Sequence, residues 1–371
     1  MKKSLVALAL MGAFAGAHAQ SSVTIYGTLD AGVNKLSCNG TAAACAAGNV
    51  NTATAIGKRD NNKLGFRGVE DLGNGLKALF HLEIRYEPDT GVIENTTRPL
   101  FQGQSRVGLQ GGFGTVRLGR GLTPFQESIT AFEPWSGIPS VAGYQTDLQV
   151  AGYTSDPLSP AGNSGNRFSN AVWYNTPDMG GFQLNVAVAS KEANSGVAIN
   201  GYGNAAFPQY AANAMASANP YSVSATFNKG IFGAMAAYER NAVETKFWSV
   251  AGSIKPMPEL KLMASYQRQD QSHSVPLLTP VGLASTPGQE TKAWILGVNY
   301  TMGPGKLLLG YGQKQPDNVV KTKQASIGYE YSLSTRTYVY LDLSNKKKPL
   351  VVTAKNDNTV NFYSVGVHHN F

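Results

Sequence analysis

The residues able to do chemistry are charged, and they fall into two opposed sets. Lys63 and Arg67 stand four apart on an alternating segment, which places both on one face. Arg106 and Arg117 take matching positions on either side of a Gly111–Gly114 turn. Arg98 and Arg120 lie near the ends of longer connections, and Arg167 opens the alternating segment after the longest one. That connection, residues 119–166, carries Glu127, Glu133 and Asp147, with Asp156 further on. Fixed charges of opposite sign facing one another sort ions; they make and break no bonds. A plainer use for Arg67, Arg106 and Arg117 is to brace neighbouring carboxylates such as Asp30, Glu70 and Glu83.

Catalytic patterns are thin by comparison. There is no Gly-rich loop followed by Lys-Ser/Thr and no HExxH. Gly111-Gly112-Phe113-Gly114 reads as a hairpin turn, and the histidines are scattered: His18, His81, His273, His368 and His369. Catalytic triads are judged by geometry, so an outer-membrane hydrolase stands as a second class, to be revealed by hydrolysis that a single Ser or His change abolishes. No enzyme activity, metal, cofactor or nucleic-acid partner is expected.

The elements that position these charges follow from composition and period. Of 371 residues 41 are glycine, well above the usual ~7 %, and only 15 % are charged against a usual ~25 %. Seventeen Tyr, 15 Phe and 4 Trp are too many rings for a disordered chain. Mean hydropathy is slightly negative, and no stretch after the N-terminus has the ~18 apolar residues of a membrane helix. Residues 1–19 read as a cleaved secretory signal: Lys2 and Lys3, an apolar core from Leu5 to Ala17, then the small-x-small site Ala17-His18-Ala19. The remaining chain, 20–371, is expected to form one domain. The formal charge of +8 favours anions in general and fixes no partner. Export makes a local disulfide between Cys38 and Cys45 the preferred reading, because two cysteines with no histidine nearby are too few ligands for zinc.

Period-two alternation runs to the end of the chain. Val23, Ile25, Leu29, Ala31 and Val33 oppose Thr24, Tyr26, Thr28 and Asp30; Ala78, Phe80, Leu82 and Ile84 oppose Lys77, His81, Glu83 and Arg85. Tight turns occur at 71–75, 111–114, 177–181, 228–232, 256–259, 301–305 and 332–336, each with Gly, Pro, Asn or Ser chemistry. Eight longer connections separate them, near 35–62, 86–104, 119–166, 190–220, 239–246, 268–290, 314–322 and 344–359. Sixteen strands with short turns at one end and long loops at the other make a transmembrane β-barrel. In hydrocarbon every backbone polar group needs an internal partner, and closure leaves no edge. Apolar residues then face lipid and polar ones a wet lumen. Tyr26, Phe80, Tyr238, Trp248, Tyr266, Trp294, Tyr300, Tyr329, Tyr331, Tyr338 and Tyr363 are candidates for the interfacial aromatic girdles.

The blocks "SSVTIYGTLDAGV", "KLGFRGVEDLGNGLKALFHLE", "VGLQGGFGTVRLGR", "NRFSNAVWYNTPDMGGF", "YEYSLSTRTYVYLDLS" and "VGVHHNF" resemble the general porins of β-proteobacteria over nearly the whole mature chain. The resemblance implies an all-β, sixteen-stranded antiparallel barrel with short periplasmic turns and long extracellular loops. It implies a homotrimer among outer-membrane lipid and lipopolysaccharide, passing small hydrophilic solutes and ions passively. It further implies that the third loop folds into the lumen and that Phe371 is read by the insertion machinery. Family arginines of the constriction match Lys63 and Arg167 here, with Arg98 the candidate from the second loop. Two departures stand out: Lys63 lacks the planar fork of arginine, and Gly103 stands where another arginine is often found.

The expected constriction therefore sets Lys63, Arg67, Arg98, Arg106, Arg117, Arg120 and Arg167 on the wall opposite Glu127, Glu133 and Asp147 on the loop, with mild anion selectivity. Phe125, Ile129, Phe132, Trp135, Ile138 and Tyr144 are available to pack that loop on the wall. A channel for one solute class and an adhesin acting through its outer loops are the remaining alternatives. Trp173 and Tyr26 are too few rings for a sugar track. Gly27, Ala31 and Val365 suit close packing between copies.

Overall fold

The computed structural model describes residues 22–40, 45, 50–94, 99–157, 165–190, 218–272, 277–279, 282–285, 289–348 and 358–371. The expected signal segment, Arg98, His273 and most of the fourth long connection lie outside them. Sixteen long strands form one antiparallel sheet: β1 (Ser22–Cys38), β2 (Lys63–Gly73), β3 (Leu76–Arg85), β4 (Gln104–Gly111), β5 (Gly114–Leu122), β6 (Arg167–Asn175), β7 (Phe182–Ala189), β8 (Tyr221–Lys229), β9 (Phe232–Arg240), β10 (Lys246–Met257), β11 (Leu260–Asp270), β12 (Glu290–Met302), β13 (Gly305–Pro316), β14 (Thr322–Ser332), β15 (Thr337–Lys348) and β16 (Asn358–Asn370). Each pairs with its sequence neighbours. β1 closes the ring, pairing with β2 over Ser22–Thr28 and with β16 over Thr28–Cys38. All seven tight turns and eight long connections fall where the sequence puts them.

Closure is completed by the last residue. Phe371 exchanges two backbone hydrogen bonds with Gly27, at 3.0 and 3.1 Å. Its ring lies where a Cβ at position 27 would stand 2.3 Å away, so only glycine fits there.

The distribution of exposure is inverted relative to a soluble protein. Ile25 is 60 % exposed while Asp30, five residues on and facing inward, is fully buried. Val107, Leu118, Leu296, Leu341 and Val365 are exposed outward, whereas Ser222, Ser249, Gln267 and Gln324 are buried inside. Apolar residues in the open and polar ones within is what a hydrocarbon solvent selects. Outward aromatics form an upper set, with Trp248 against Tyr266 at 5.4 Å and Trp294 against Tyr311 at 5.6 Å. A lower set comprises Tyr300, Tyr329 and Tyr331. Tyr26 and Tyr338 are corrections to the girdle assignment. Tyr26 turns into the lumen and donates to Glu83 at 2.9 Å, and Tyr338 stacks on His368 at 4.5 Å. Strand parity decides the face, and Tyr338 shares the parity of buried Asp342.

The core of the molecule is the third loop packed inside the barrel. It opens with helix α1 (Pro124–Ile129), whose N-cap Thr123 accepts from the Gln126 N–H. Phe125, Ile129, Phe132 and Tyr153 bury against Met235, Ala237, Phe247 and Ala293. Trp135, Tyr144 and Leu148 bury against Ile295, Leu308 and Phe362, with Ile138 partly buried beside them. Wall amides hold the loop backbone: Gln324 donates to the carbonyls of Ala142 and Gly143, and Gln267 to that of Leu148. Among the described residues, short elements fall in segments read as plain connections: helix α1, the 3-10 turn Thr130–Phe132 that follows it, the segment Ala55–Gly57 paired to β1, and a small hairpin of Leu277–Thr279 with Gly282–Ser285. Cys38 and Cys45 are joined as a disulfide.

Candidate pore constriction

Antiparallel register sets the charges of β2–β5 in lateral rows. Thr28, Lys63 and Arg85 form one row; Tyr26, Gly65, Glu83 and Gln104 the next; Thr24, Arg67, His81 and Arg106 the third. Arg117, opposite Gly108, lies one step lower. All point into the lumen because directly opposed residues share a face. The Tyr26 ring lies flat across Gly65, where a Cβ would come within 2.1 Å, and the Arg67 guanidinium sits 5.3 Å above that ring.

Between the upper row and the third loop lies a polar cavity of about 330 Å³. Its wall side carries Lys63, Arg85 and Arg167 with Glu83; Asp60 and Glu94 come from the first two loops. Its loop side is uncharged, from Thr130, Ser136, Gly137, Gln145 and Thr146. Glu83 pairs with Arg85 at 3.3 Å and accepts from Tyr26, and Glu94 pairs with Lys58 at 2.6 Å. Arg167 borders the cavity but keeps only 1 % of its surface accessible. It donates to the Gly103 carbonyl at 2.7 Å and to Asn166 at 2.6 Å. A side chain at 103 would meet Glu83 at 2.3 Å, so an arginine there requires Glu83 to move.

The loop acids do not face the opening, which departs from the expected arrangement. Glu127 turns to the wall and takes Arg106 at 3.0 Å and Arg117 at 3.4 Å. Asp147 is clamped between Lys314 and Lys346. Burial works to raise its carboxyl, but the two ammonium groups override that and hold it well below the usual carboxylate range. Glu133 is fully buried and accepts the N–H groups of Trp135 at 3.0 Å and Gly137 at 2.6 Å. Loss of solvation dominates and pushes its carboxyl up to about 7. A loop inside a barrel must satisfy its own charges: for Glu127 and Asp147 the nearest partners are wall cations behind the loop rather than across the water, and for Glu133 they are N–H groups of the loop itself.

Arg120 reaches the Gln102 carbonyl and Ser169. Arg106 stacks over Trp173 at 5.4 Å, and the Trp173 indole donates to the Leu122 carbonyl. A second anchor was not read from the sequence. The buried Asp342 carboxylate accepts from the Trp135 indole at 3.1 Å, Ser140 at 2.8 Å and Arg59 at 3.0 Å. Arg59 also pairs with Glu330 at 2.7 Å and stacks on Tyr340 at 4.8 Å. Arg85 was within reach of sequence reasoning, since it alternates with His81 and Glu83 on the inward face.

A closed barrel with a lipid-facing exterior, a polar bore and a packed loop narrowing that bore is a transmembrane diffusion channel. The sequence model of the Gram-negative porin family matches residues 6–349, and the chain belongs to that family. It is 31 % identical to outer membrane porin protein 32 of Delftia acidovorans, over 99 % of this chain and 94 % of that one. Among solved structures, an anion-selective porin from Comamonas acidovorans aligns with a TM-score of 0.71 at 24 % identity, over 95 % of this chain and 100 % of its own. A trimer form of OmpT, an outer membrane protein of Vibrio cholerae, aligns at 0.61 and 13 % identity, over 95 % and 99 %. The protein is a passive channel of the outer membrane.

Proposed function

We propose that the channel passes small hydrophilic solutes with a mild preference for anions, through an opening bounded by Lys63, Arg85 and Arg167 together with Glu83, Asp60 and Glu94. The observation that carries this reading is the stoichiometry of the loop anchors. Each loop carboxylate at the wall meets two cations, Arg106 and Arg117 on Glu127 and Lys314 and Lys346 on Asp147. Each of these two anchors therefore keeps one positive charge in excess, the Asp342 anchor balances Asp342 and Glu330 with Arg59 and Lys306, and Glu133 is sequestered. The loop contributes little negative field, the basic rows of β2–β5 dominate the lumen, and low-dielectric walls focus that field. The porin from Comamonas acidovorans, itself anion-selective, agrees in sign.

Removal of residues 1–19 on export, assembly as a homotrimer among lipid and lipopolysaccharide, and use of Phe371 as an assembly signal belong to the same reading. The outward face of β1 and β16, with Gly27, Ala31 and Val365, offers small side chains for contact between copies. Planar-bilayer recording of the purified protein tests it: conductance steps arriving in threes are expected, and isolated single steps would refute the trimer.

A further inference from the structure

We propose that the cavity between β2 and the third loop is a transit site for free amino acids in their zwitterionic form, with Lys63 holding the carboxylate and Asp60 the ammonium. This rests on the channel reading above and names the solute class that its opening favours. Asp60, Lys63, Glu83, Arg85, Glu94 and Arg167 line the cavity. Four of them are satisfied within the protein. Glu83 pairs with Arg85 at 3.3 Å, Glu94 pairs with Lys58 at 2.6 Å, and Arg167 is buried on the Gly103 carbonyl and Asn166. Lys63 and Asp60 are left. Among the described residues neither forms an ion pair, and Asp60 takes only the Asn61 N–H, at 2.7 Å on Oδ1.

Both residues are half-buried, so each charge is partly stripped of water and gains by meeting an opposite one. The segment that joins them is pinned. Arg59 donates its backbone N–H to the Asp30 carboxylate at 2.6 Å, and the Asn62 amide donates to the Asp30 carbonyl at 3.1 Å. Lys63 then enters β2 opposite Thr28 and Arg85. An anion and a cation three residues apart on one wall form a fixed dipole. A monoanion gains at Lys63 and is repelled at Asp60, and a monocation does the reverse. A dipolar ion gains at both. The loop side, with Thr130, Ser136, Gln145 and Thr146, is polar and uncharged, so it hydrogen-bonds solutes without favouring either sign. A volume of about 330 Å³ sits at the lower end of the ~300–1,000 Å³ of ligand pockets, which suits a solute of this size. Chloride is too small to touch both groups, so the dipole leaves the anion preference of the basic rows in place.

The test uses the purified protein in planar bilayers, with chloride carrying the current. Free L-alanine, L-lactate and L-alaninamide share one carbon skeleton and are a dipolar ion, an anion and a cation at about pH 6. Each is titrated as a blocker. Half-block by alanine is expected at roughly fivefold lower concentration than by lactate or alaninamide, the weight of one extra ion contact in a wet bore. Asp60→Asn should bring alanine to the level of lactate in the same variant, and Lys63→Gln should bring it to the level of alaninamide. Equal half-block by the three probes in the wild type, or no block by alanine, overturns the site without any variant. Alanine block unchanged in Asp60→Asn overturns Asp60 as the ammonium partner. Reversal potentials from the same bilayers keep the readings apart. A cation preference there fails the anion reading, while the ranking of the three probes decides the site.

Discussion

Asp342→Ala tests how the constricting loop is held. The change strands three donors inside the barrel: the Trp135 indole, the Ser140 hydroxyl and one face of the Arg59 guanidinium. Breaking a buried ion pair costs about 3–5 kcal/mol. Arg59 keeps Glu330 and its stacking on Tyr340, so the expected loss is somewhat smaller than for a pair with no second partner, about 2–4 kcal/mol. Five other loop side chains, Phe125, Ile129, Phe132, Tyr144 and Leu148, stay buried. At about 1.5–3 kcal/mol each they retain about 8–15 kcal/mol of attachment. The loop therefore stays inside, and only the stretch around residues 133–142 loosens, with its opening equilibrium shifted roughly 30- to 900-fold. Single-channel records should gain flicker around an unchanged mean, and acrylamide should reach Trp135. Asp342→Asn, which keeps an acceptor but not the charge, should fall between. Currents and quenching identical to wild type would refute Asp342 as an anchor; loss of β-structure would place its role in the wall.

Other outcomes follow from the same contacts. Lys63→Glu and Arg167→Glu should each shift the reversal potential toward cations. Lys63, on the open face, should have the larger effect, and equal effects would argue against the buried placement of Arg167. Asp147→Asn frees Lys314 and Lys346 into the lumen and should strengthen anion preference; unchanged selectivity would contradict the charge accounting. Glu133 binds its proton more tightly in the folded loop, near 7 against an ordinary 4.5. Its contribution to loop stability is therefore full below pH 4.5 and lost as the pH rises through about 7. Hydrogen exchange of the 130–145 amides should quicken over that range in wild type and not in Glu133→Gln. Asp147 runs the other way: its depressed carboxyl keeps its stabilisation above pH 3.8 and loses it only well into acid.

Strand number, turns and inward faces were legible because alternation and turn chemistry are local, as Lys63, Arg67, His81 and Arg106 show. Tyr338 was misplaced by weighing its ring over its parity with Asp342. Among the loop acids, Glu127 and Glu133 find partners within 21 positions, whereas the partners of Asp147 are distant in sequence. Asp147 meets Lys346 across 199 positions, and Arg59 meets Asp342 across 283. No periodicity reports a contact of that span. Short elements such as Ala55–Gly57 and helix α1 depend on the wall they lie against, so their own sequence says little.

Wall cations, once the loop acids Glu127 and Asp147 are spent on anchoring, set the sign of the field in the bore. The reversal potential of the purified protein across a potassium chloride gradient measures that sign directly. A potential displaced toward the chloride equilibrium value is predicted, and one displaced toward the potassium value would contradict it.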